Sequence, residues 1–217
     1  MDQHPVVTAD YPENLLGGIM ICGYNFGFSS QDQDDEEKGL KTEESAPSFF
    51  SDPQVNNTLF RNRMLLWLDK WGRPLETDAD RIGSYEKSFF QTNWLGTQTN
   101  TIADDTITIN KLVAESDGIL SLMEARKPRL VIFTGSDLIE ALNDIRVRER
   151  VESILGPRPG NAEIFRSDVP VKGTKFKLLK QDFPVTTVVS LPHATGTIGL
   201  SDEYIEGFRN IMNGLLI

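Results

Sequence analysis

The chain has 217 residues, of which 39% are apolar, and a formal net charge of −10 at pH 7. This length suits one compact domain, and the ordinary content of Gly and Pro excludes a collagen-like or wholly disordered chain. The acidic balance argues against a general nucleic-acid binder, which usually carries a basic face. No apolar run is long enough to span a membrane, and the first residues do not resemble a secretory signal. We therefore expect a soluble, cytoplasmic protein without a membrane partner.

The first predicted element is a buried strand at residues 19–22, which ends in the sequence Gly-Tyr-Asn-Phe-Gly at 23–27. A strand that ends in a glycine-framed polar residue is typical of a site in which one side chain, here Asn25, is delivered to a loop. The strand contains Cys22, the single cysteine, which we expect to be a buried structural thiol. The acidic stretch at 29–47 has too few apolar side chains to pack, so we predict a mobile insertion there.

A helix with apolar residues at helical spacing follows, with Asn56 or Asn57 as its cap and Gly72 closing it. The next predicted strand ends at Asn93, and one long helix is expected over residues 105–126. Strands are then predicted at 130–133, 162–165, 176–179 and 185–191, and helices from residues 136, 146 and 201. This alternation predicts an α/β fold, with residues 1–217 forming a single three-layer α/β/α domain around a mostly parallel sheet.

Polar side chains follow three of the predicted strands. Asn25 and Asn93 come after two of them, and His193 lies in the sequence Pro-His-Ala-Thr-Gly at 192–196, after the last one. Because the carboxyl ends of parallel strands meet at one edge, we expect these three side chains in one crevice, with Phe50 or Phe28 at its wall. The structural alternatives are a left-handed loop residue for Asn25, a turn cap for Asn93 and core packing for Phe50.

Three further features leave alternatives open. Residues 146–180 carry nine basic against four acidic side chains, which fits a solvated helix face and hairpin or a phosphate-contacting patch. Ile198 or Leu200, just beyond the His193 loop, can wedge into a DNA stack or pack beside the last helix. The other histidine, His4, lies in a terminus that we expect to fray.

These motifs resemble those of the uracil-DNA glycosylase superfamily. The first motif has Phe26 where the family has proline, and the last has Ala194 and Thr195 in place of Pro-Ser. The resemblance implies a uracil-DNA glycosylase-like fold and a hydrolase that cleaves the N-glycosidic bond of a damaged or deaminated base in DNA. The matching segments, in the family's order, are residues 23–27, 49–53, 92–95, 127–135 and 192–196.

The resemblance also implies roles for individual residues. His193 would donate a hydrogen bond to the departing base, and Asn25 would hold the attacking water; both are expected catalytic residues. A carboxamide has no useful basicity, so Asn25 would position the water rather than deprotonate it. Asn93 would read the base edge, and an aromatic ring would stack on the extruded base. The expected substrate-binding residues are Gly23, Tyr24, Phe28, Phe50 and Asn93.

Other chemistries are disfavoured. One cysteine and two histidines exclude a Cys/His zinc cage, and we expect no metal and no cofactor. The expected partner is DNA that contains a modified base, and the acidic loop is a possible site for a protein partner. The alternative function is a non-catalytic module of the same fold that binds a nucleobase, a nucleotide or a protein. The net charge of −10 favours that alternative.

Overall fold

The computed structural model describes residues 4–24, 47–54, 58–96, 107–169, 176–195 and 197–217, and the backbone of 26–27 and 98–99. Asn25, Phe28 and all of the acidic stretch except Pro47 lie outside the described residues. The strands are β1 (Ile19–Gly23), β2 (Phe26–Gly27), β3 (Phe89–Asn93), β4 (Gln98–Thr99), β5 (Leu130–Thr134), β6 (Glu163–Phe165), β7 (Leu178–Asp182) and β8 (Thr187–Leu191).

Six of these strands form one sheet in the order β3-β1-β5-β8-β7-β6. The first four run parallel, whereas β7 is antiparallel to β8 and β6 is antiparallel to β7. Every residue of β1, β3 and β5 is buried, as expected for apolar strands with both faces covered. Cys22 is among them, so the expectation of a buried thiol is confirmed. Strands β2 and β4 form a separate two-stranded sheet.

Helices cover both faces of the large sheet. The helices are α1 (Pro12–Leu15), α2 (Leu59–Lys70), α3 (Ser84–Lys87), α4 (Ile109–Ala114), α5 (Asp117–Arg126), α6 (Ser136–Leu142), α7 (Arg148–Leu155), α8 (Asp202–Glu206) and α9 (Arg209–Leu215). Helices α2, α8 and α9 contribute to the core on one face, and α4 to α7 contribute to the core on the other, which gives an α/β architecture with a mostly parallel central sheet.

Two helix boundaries differ from the prediction. Helix α2 is capped by Thr58, whose Oγ1 accepts a hydrogen bond from the Arg61 backbone N–H at 3.2 Å, rather than by Asn56 or Asn57. The helix predicted over residues 105–126 is two helices, α4 and α5. The Ser116 hydroxyl lies between them and donates to the Val113 carbonyl at 2.8 Å, so a local side-chain bond competes with continuation of the helix.

In the basic segment, helix α7 exposes Arg148 and Arg150, as a solvated helix face does. Four of the described basic side chains form ion pairs with acidic neighbours, so these four charges are locally compensated. The ion pairs join Arg146 to Asp144, Arg148 to Glu152, Arg150 to Glu124 and Lys180 to Asp182.

No helix in the described part of the chain has both the length and the apolar character of a bilayer span.

Candidate functional site

The carboxyl ends of β1 and β3 meet at Gly23 and Asn93, which pair in register. The approach is so close that a Cβ atom at position 23 would overlap Oδ1 of Asn93, and it would lie 3.7 Å from the Thr134 hydroxyl of β5. The Asn93 side chain is 6% exposed. Gly23 therefore leaves the space in which the Asn93 carboxamide sits, which is a structural reason for glycine at this position.

The N-terminal segment fixes the backbone at Asn93. The Nε2 atom of His4 lies 2.7 Å from the carbonyl oxygen of Asn93, and the Thr92 hydroxyl donates to the Pro5 carbonyl at 2.7 Å. The His4 ring also packs against Gly118, where a Cβ would overlap it. Burial lowers the pKa of His4, although its hydrogen bond to Asn93 acts in the opposite direction. The expectation that His4 lies in a frayed terminus is therefore wrong.

Tyr24 connects this edge to the loop that follows β8. Its ring stacks on the His193 imidazole, with 5.8 Å between the ring centroids and 24° between the planes. Its hydroxyl lies over Gly135, where a Cβ would overlap it and where φ is +145°. Burial and the neighbouring Asp137 carboxylate raise the pKa of the Tyr24 phenol, so it stays protonated at neutral pH.

His193 follows β8 and contacts two aromatic rings. Besides Tyr24, the ring of Phe60 on α2 lies 6.0 Å from the imidazole centroid. Burial lowers the pKa of His193 to about 4, so the imidazole is neutral at pH 7. The backbone N–H of Thr195 donates to Nδ1 at 3.3 Å, and the Thr195 hydroxyl oxygen lies 3.3 Å from the same atom. An N–H group can only donate, so Nδ1 is the acceptor and the proton of the neutral ring is on Nε2.

Of the two aromatic side chains expected to stack on a base, Phe50 is within the described residues and Phe28 is not. Phe50 is 0% exposed; its ring stacks on Phe89 at 6.1 Å, and the Arg61 guanidinium carbon lies 5.1 Å from its centroid. In this structure Phe50 is a core side chain, and its use as a stacking surface stays a prediction. Phe28, the competing choice, lies outside the described residues, as does Asn25.

Helix α2 contributes two arginines that the sequence pattern did not single out. Arg61 is 2% exposed and donates from Nη2 to Oε1 of Gln91, two residues before Asn93 on β3. Burial lowers the pKa of Arg61 to about 10, although Asp52 opposes this shift. Arg63 binds the loop after His193. The helical pattern gave no signal for either residue, because charged residues between apolar positions usually lie on a solvated face.

The two candidate wedge residues, Ile198 and Leu200, differ in their exposure to solvent. Ile198 is 98% exposed, whereas Leu200 is 6% exposed and packs in the core on the α2 face. Gly199 between them has φ of +81°, a conformation that suits glycine and turns the chain back toward the core. Only Ile198 is therefore available for contact with a partner in this structure.

No family model matches the chain, and no curated protein matches it significantly. At the carboxyl edge of the sheet, the Tyr24 ring contacts the His193 imidazole, and the Asn93 carboxamide lies beside Gly23, the residue before Tyr24. Within the described residues, no group of three or more His, Cys, Asp or Glu side chains is placed to hold a metal ion. An amide, a phenol and a neutral imidazole are suited to hydrogen bonding of a polar ligand.

Proposed function

We propose that this chain is a uracil-DNA glycosylase-like hydrolase that cleaves the N-glycosidic bond of a damaged or deaminated base in DNA. The observation that carries the proposal is the state of His193: a neutral imidazole with its proton on Nε2, beside Tyr24 at the carboxyl edge of a parallel sheet. Ligands of open α/β sheets bind outside this edge. The proposal also rests on the family resemblance of the motifs at 23–27 and 192–196.

The chemistry gives His193 a role that does not require a charged imidazole. Cleavage of the bond develops positive charge on the sugar and negative charge on the leaving base. An Nε2–H donor aimed at a carbonyl oxygen of that base strengthens its hydrogen bond as the charge develops, which lowers the barrier. A neutral imidazole can perform this task, as neutral electrophilic histidines do in other enzymes. Tyr24 and Phe60 contribute by burying the ring and keeping it neutral.

Asn93 is proposed to read the base. A carboxamide presents one acceptor and two donors, enough for a bidentate contact with a base edge. Its carboxamide lies in the space that Gly23 leaves, and the bond from His4 to the Asn93 carbonyl fixes the backbone that carries it. An amide on a fixed backbone presents its donors and acceptor from a defined position, which favours discrimination between bases. Asn25 is proposed to hold the attacking water.

The exposed Ile198 fits the need to extrude the base. Flipping a nucleotide leaves a gap in the stack, and apolar side chains are used as wedges that fill such gaps. Ile198 follows the His193 loop closely in sequence and is almost fully exposed. In this proposal it enters the duplex while His193 contacts the extruded base.

The test is a cleavage screen under single-turnover conditions. Duplex and single-stranded oligonucleotides carrying uracil, hypoxanthine, xanthine or an undamaged base are incubated with excess protein, and abasic products are detected by alkaline strand scission. We expect cleavage of at least one deaminated base and none of the undamaged control. Binding of a base or nucleotide without cleavage would instead support the non-catalytic module, which the net charge of −10 favours.

A further inference from the structure

Arg63 of α2 joins both ends of the loop that follows His193. Its Nη1 donates to the Ala194 carbonyl at 2.7 Å, and its Nη2 donates to the Leu200 carbonyl at 2.6 Å. Its Nε donates to Oδ1 of Asp202, the first residue of α8, at 3.2 Å. One guanidinium thus binds two loop carbonyls and the start of the next helix. The planar fork of arginine suits this arrangement, whereas the single ammonium of lysine does not.

The arginine is itself held in place. Its guanidinium carbon lies 5.6 Å from the ring centroid of Trp67, one turn further along α2. The Trp67 indole N–H donates to the same Asp202 oxygen at 3.1 Å, so the partner of Arg63 is fixed as well. The side chains of Arg63 and Asp202 are 25% and 33% exposed. Solvent screening therefore keeps the stabilisation from this ion pair small, and its main effect is on geometry.

One peptide group connects Arg63 to the imidazole of His193. The Ala194 carbonyl that accepts from Arg63 and the Thr195 N–H that donates to Nδ1 of His193 belong to the same peptide bond. Because a peptide group is planar, the direction of its C=O determines the direction of its N–H. A cation at the carbonyl oxygen also polarises the group, which strengthens the N–H as a donor.

We propose that Arg63 is a positioning residue that keeps the His193 proton on Nε2 by orienting the peptide group between Ala194 and Thr195. Thr195 brings two groups within 3.3 Å of Nδ1, its backbone N–H and its hydroxyl, and both move with this peptide group. Without Arg63 the peptide group is no longer held, both contacts to Nδ1 weaken, and the Nδ1–H tautomer becomes populated beside the Nε2–H tautomer. The consequence for cleavage rests on the proposed function. The consequence for the tautomer does not, because it concerns the imidazole alone.

The test compares Arg63→Met with Lys70→Met. Lys70 is a matched control: it also lies on α2 and forms an ion pair with α8, to Glu206 at 3.1 Å. Long-range ¹H–¹⁵N correlation spectra of the full chain report the protonation of each imidazole nitrogen. The chain has two histidines, so a His4→Gln variant assigns the signals. We expect the Nε2–H pattern for His193 in the parent and in Lys70→Met, and a mixture of tautomers in Arg63→Met.

The activity of Arg63→Met is measured on the best substrate of the screen. We expect its single-turnover rate to fall by about 100-fold, the usual effect of a small misplacement, while substrate affinity changes little. A parent that cleaves nothing overturns the proposed function but leaves the tautomer comparison valid. A folded Arg63→Met protein with the parental Nε2–H pattern overturns the inference. If Arg63→Met does not fold, the same result in Arg63→Gln overturns it.

Discussion

The ring of Tyr24 stacks on the imidazole of His193, with 5.8 Å between the centroids. This contact joins the loop after β1 to the loop after β8, across the carboxyl end of β5. Gly135, directly after β5, makes the contact possible because any side chain there would overlap the Tyr24 ring. The first and last motifs of the chain are therefore in physical contact, and each contributes to the burial of the other.

The first prediction is that Tyr24 keeps the pKa of His193 low. Replacing Tyr24 by Ala should expose the imidazole and raise its pKa from about 4 toward the ordinary value of 6.5, because desolvation is the cause of the shift. Tyr24→Phe keeps the ring and serves as the control, with the low pKa preserved. NMR titration of His193 measures both. An unchanged pKa in Tyr24→Ala would show that other groups bury the imidazole.

The second prediction concerns how the free energy of unfolding depends on pH. His193 titrates near 6.5 in the unfolded chain and near 4 in the folded one, so the unfolded chain binds more protons between these values. The contribution of the neutral His193 to the free energy of unfolding is fully present above pH 6.5 and is lost as the pH falls toward 4. The free energy of unfolding should therefore decline more steeply with acidification in the parent than in His193→Gln. Since His4 is present in both proteins, parallel curves would contradict the shifted pKa.

The third prediction uses the contact between Gly23 and Asn93. Gly23→Ala should displace the Asn93 carboxamide and reduce single-turnover cleavage by about 100-fold. Gly96→Ala is the matched control, because a Cβ there meets no atom within 4 Å. In an Asn93→Ala background, Gly23→Ala should have little further effect, since the overlapping atom is gone. Additive effects of the two substitutions would show that Gly23 does not act through Asn93.

The fourth prediction separates Ile198 from Leu200. Ile198→Ala should change the free energy of unfolding by no more than about 0.5 kcal/mol, because the side chain is 98% exposed. It should still slow cleavage of duplex DNA more than cleavage of single strands, which need no wedge. Leu200→Ala should cost about 2–5 kcal/mol of stability, because that side chain is in the core. Denaturant unfolding and single-turnover cleavage give the two readouts, and equal effects of Ile198→Ala on both substrates would exclude the wedge.

Local patterns were sufficient to predict the alternation of strands and helices. Apolar runs predict the buried strands β1, β3 and β5, and Gly72, whose φ is +79°, marks the end of α2 two residues before it. They also place Asn93 at the end of one parallel strand and His193 after another. The antiparallel edge formed by β6 and β7 was not distinguished, because short strands carry no signal of direction.

Local sequence patterns do not predict the hydrogen bonds that join distant parts of the chain at the site. Arg63 and Ala194 are 131 positions apart in the sequence, and His4 and Asn93 are 89 apart. Such a long-range hydrogen bond depends on how helices and strands pack, so the sequence around each partner does not predict it. The break at Ser116 was missed for a different reason: the apolar spacing continues across it, while the serine hydroxyl bonds to the backbone of the preceding helix.

The most direct test of the central claim is the single-turnover cleavage rate of His193→Ala on the best substrate from the screen. If His193 stabilises the departing base, the rate should fall by about 100- to 1,000-fold, while substrate affinity changes far less. The loss should remain when enzyme is saturating, because the hydrogen bond strengthens only as charge develops. A His193→Ala protein that cleaves as fast as the parent would contradict the account and leave His193 with a structural role.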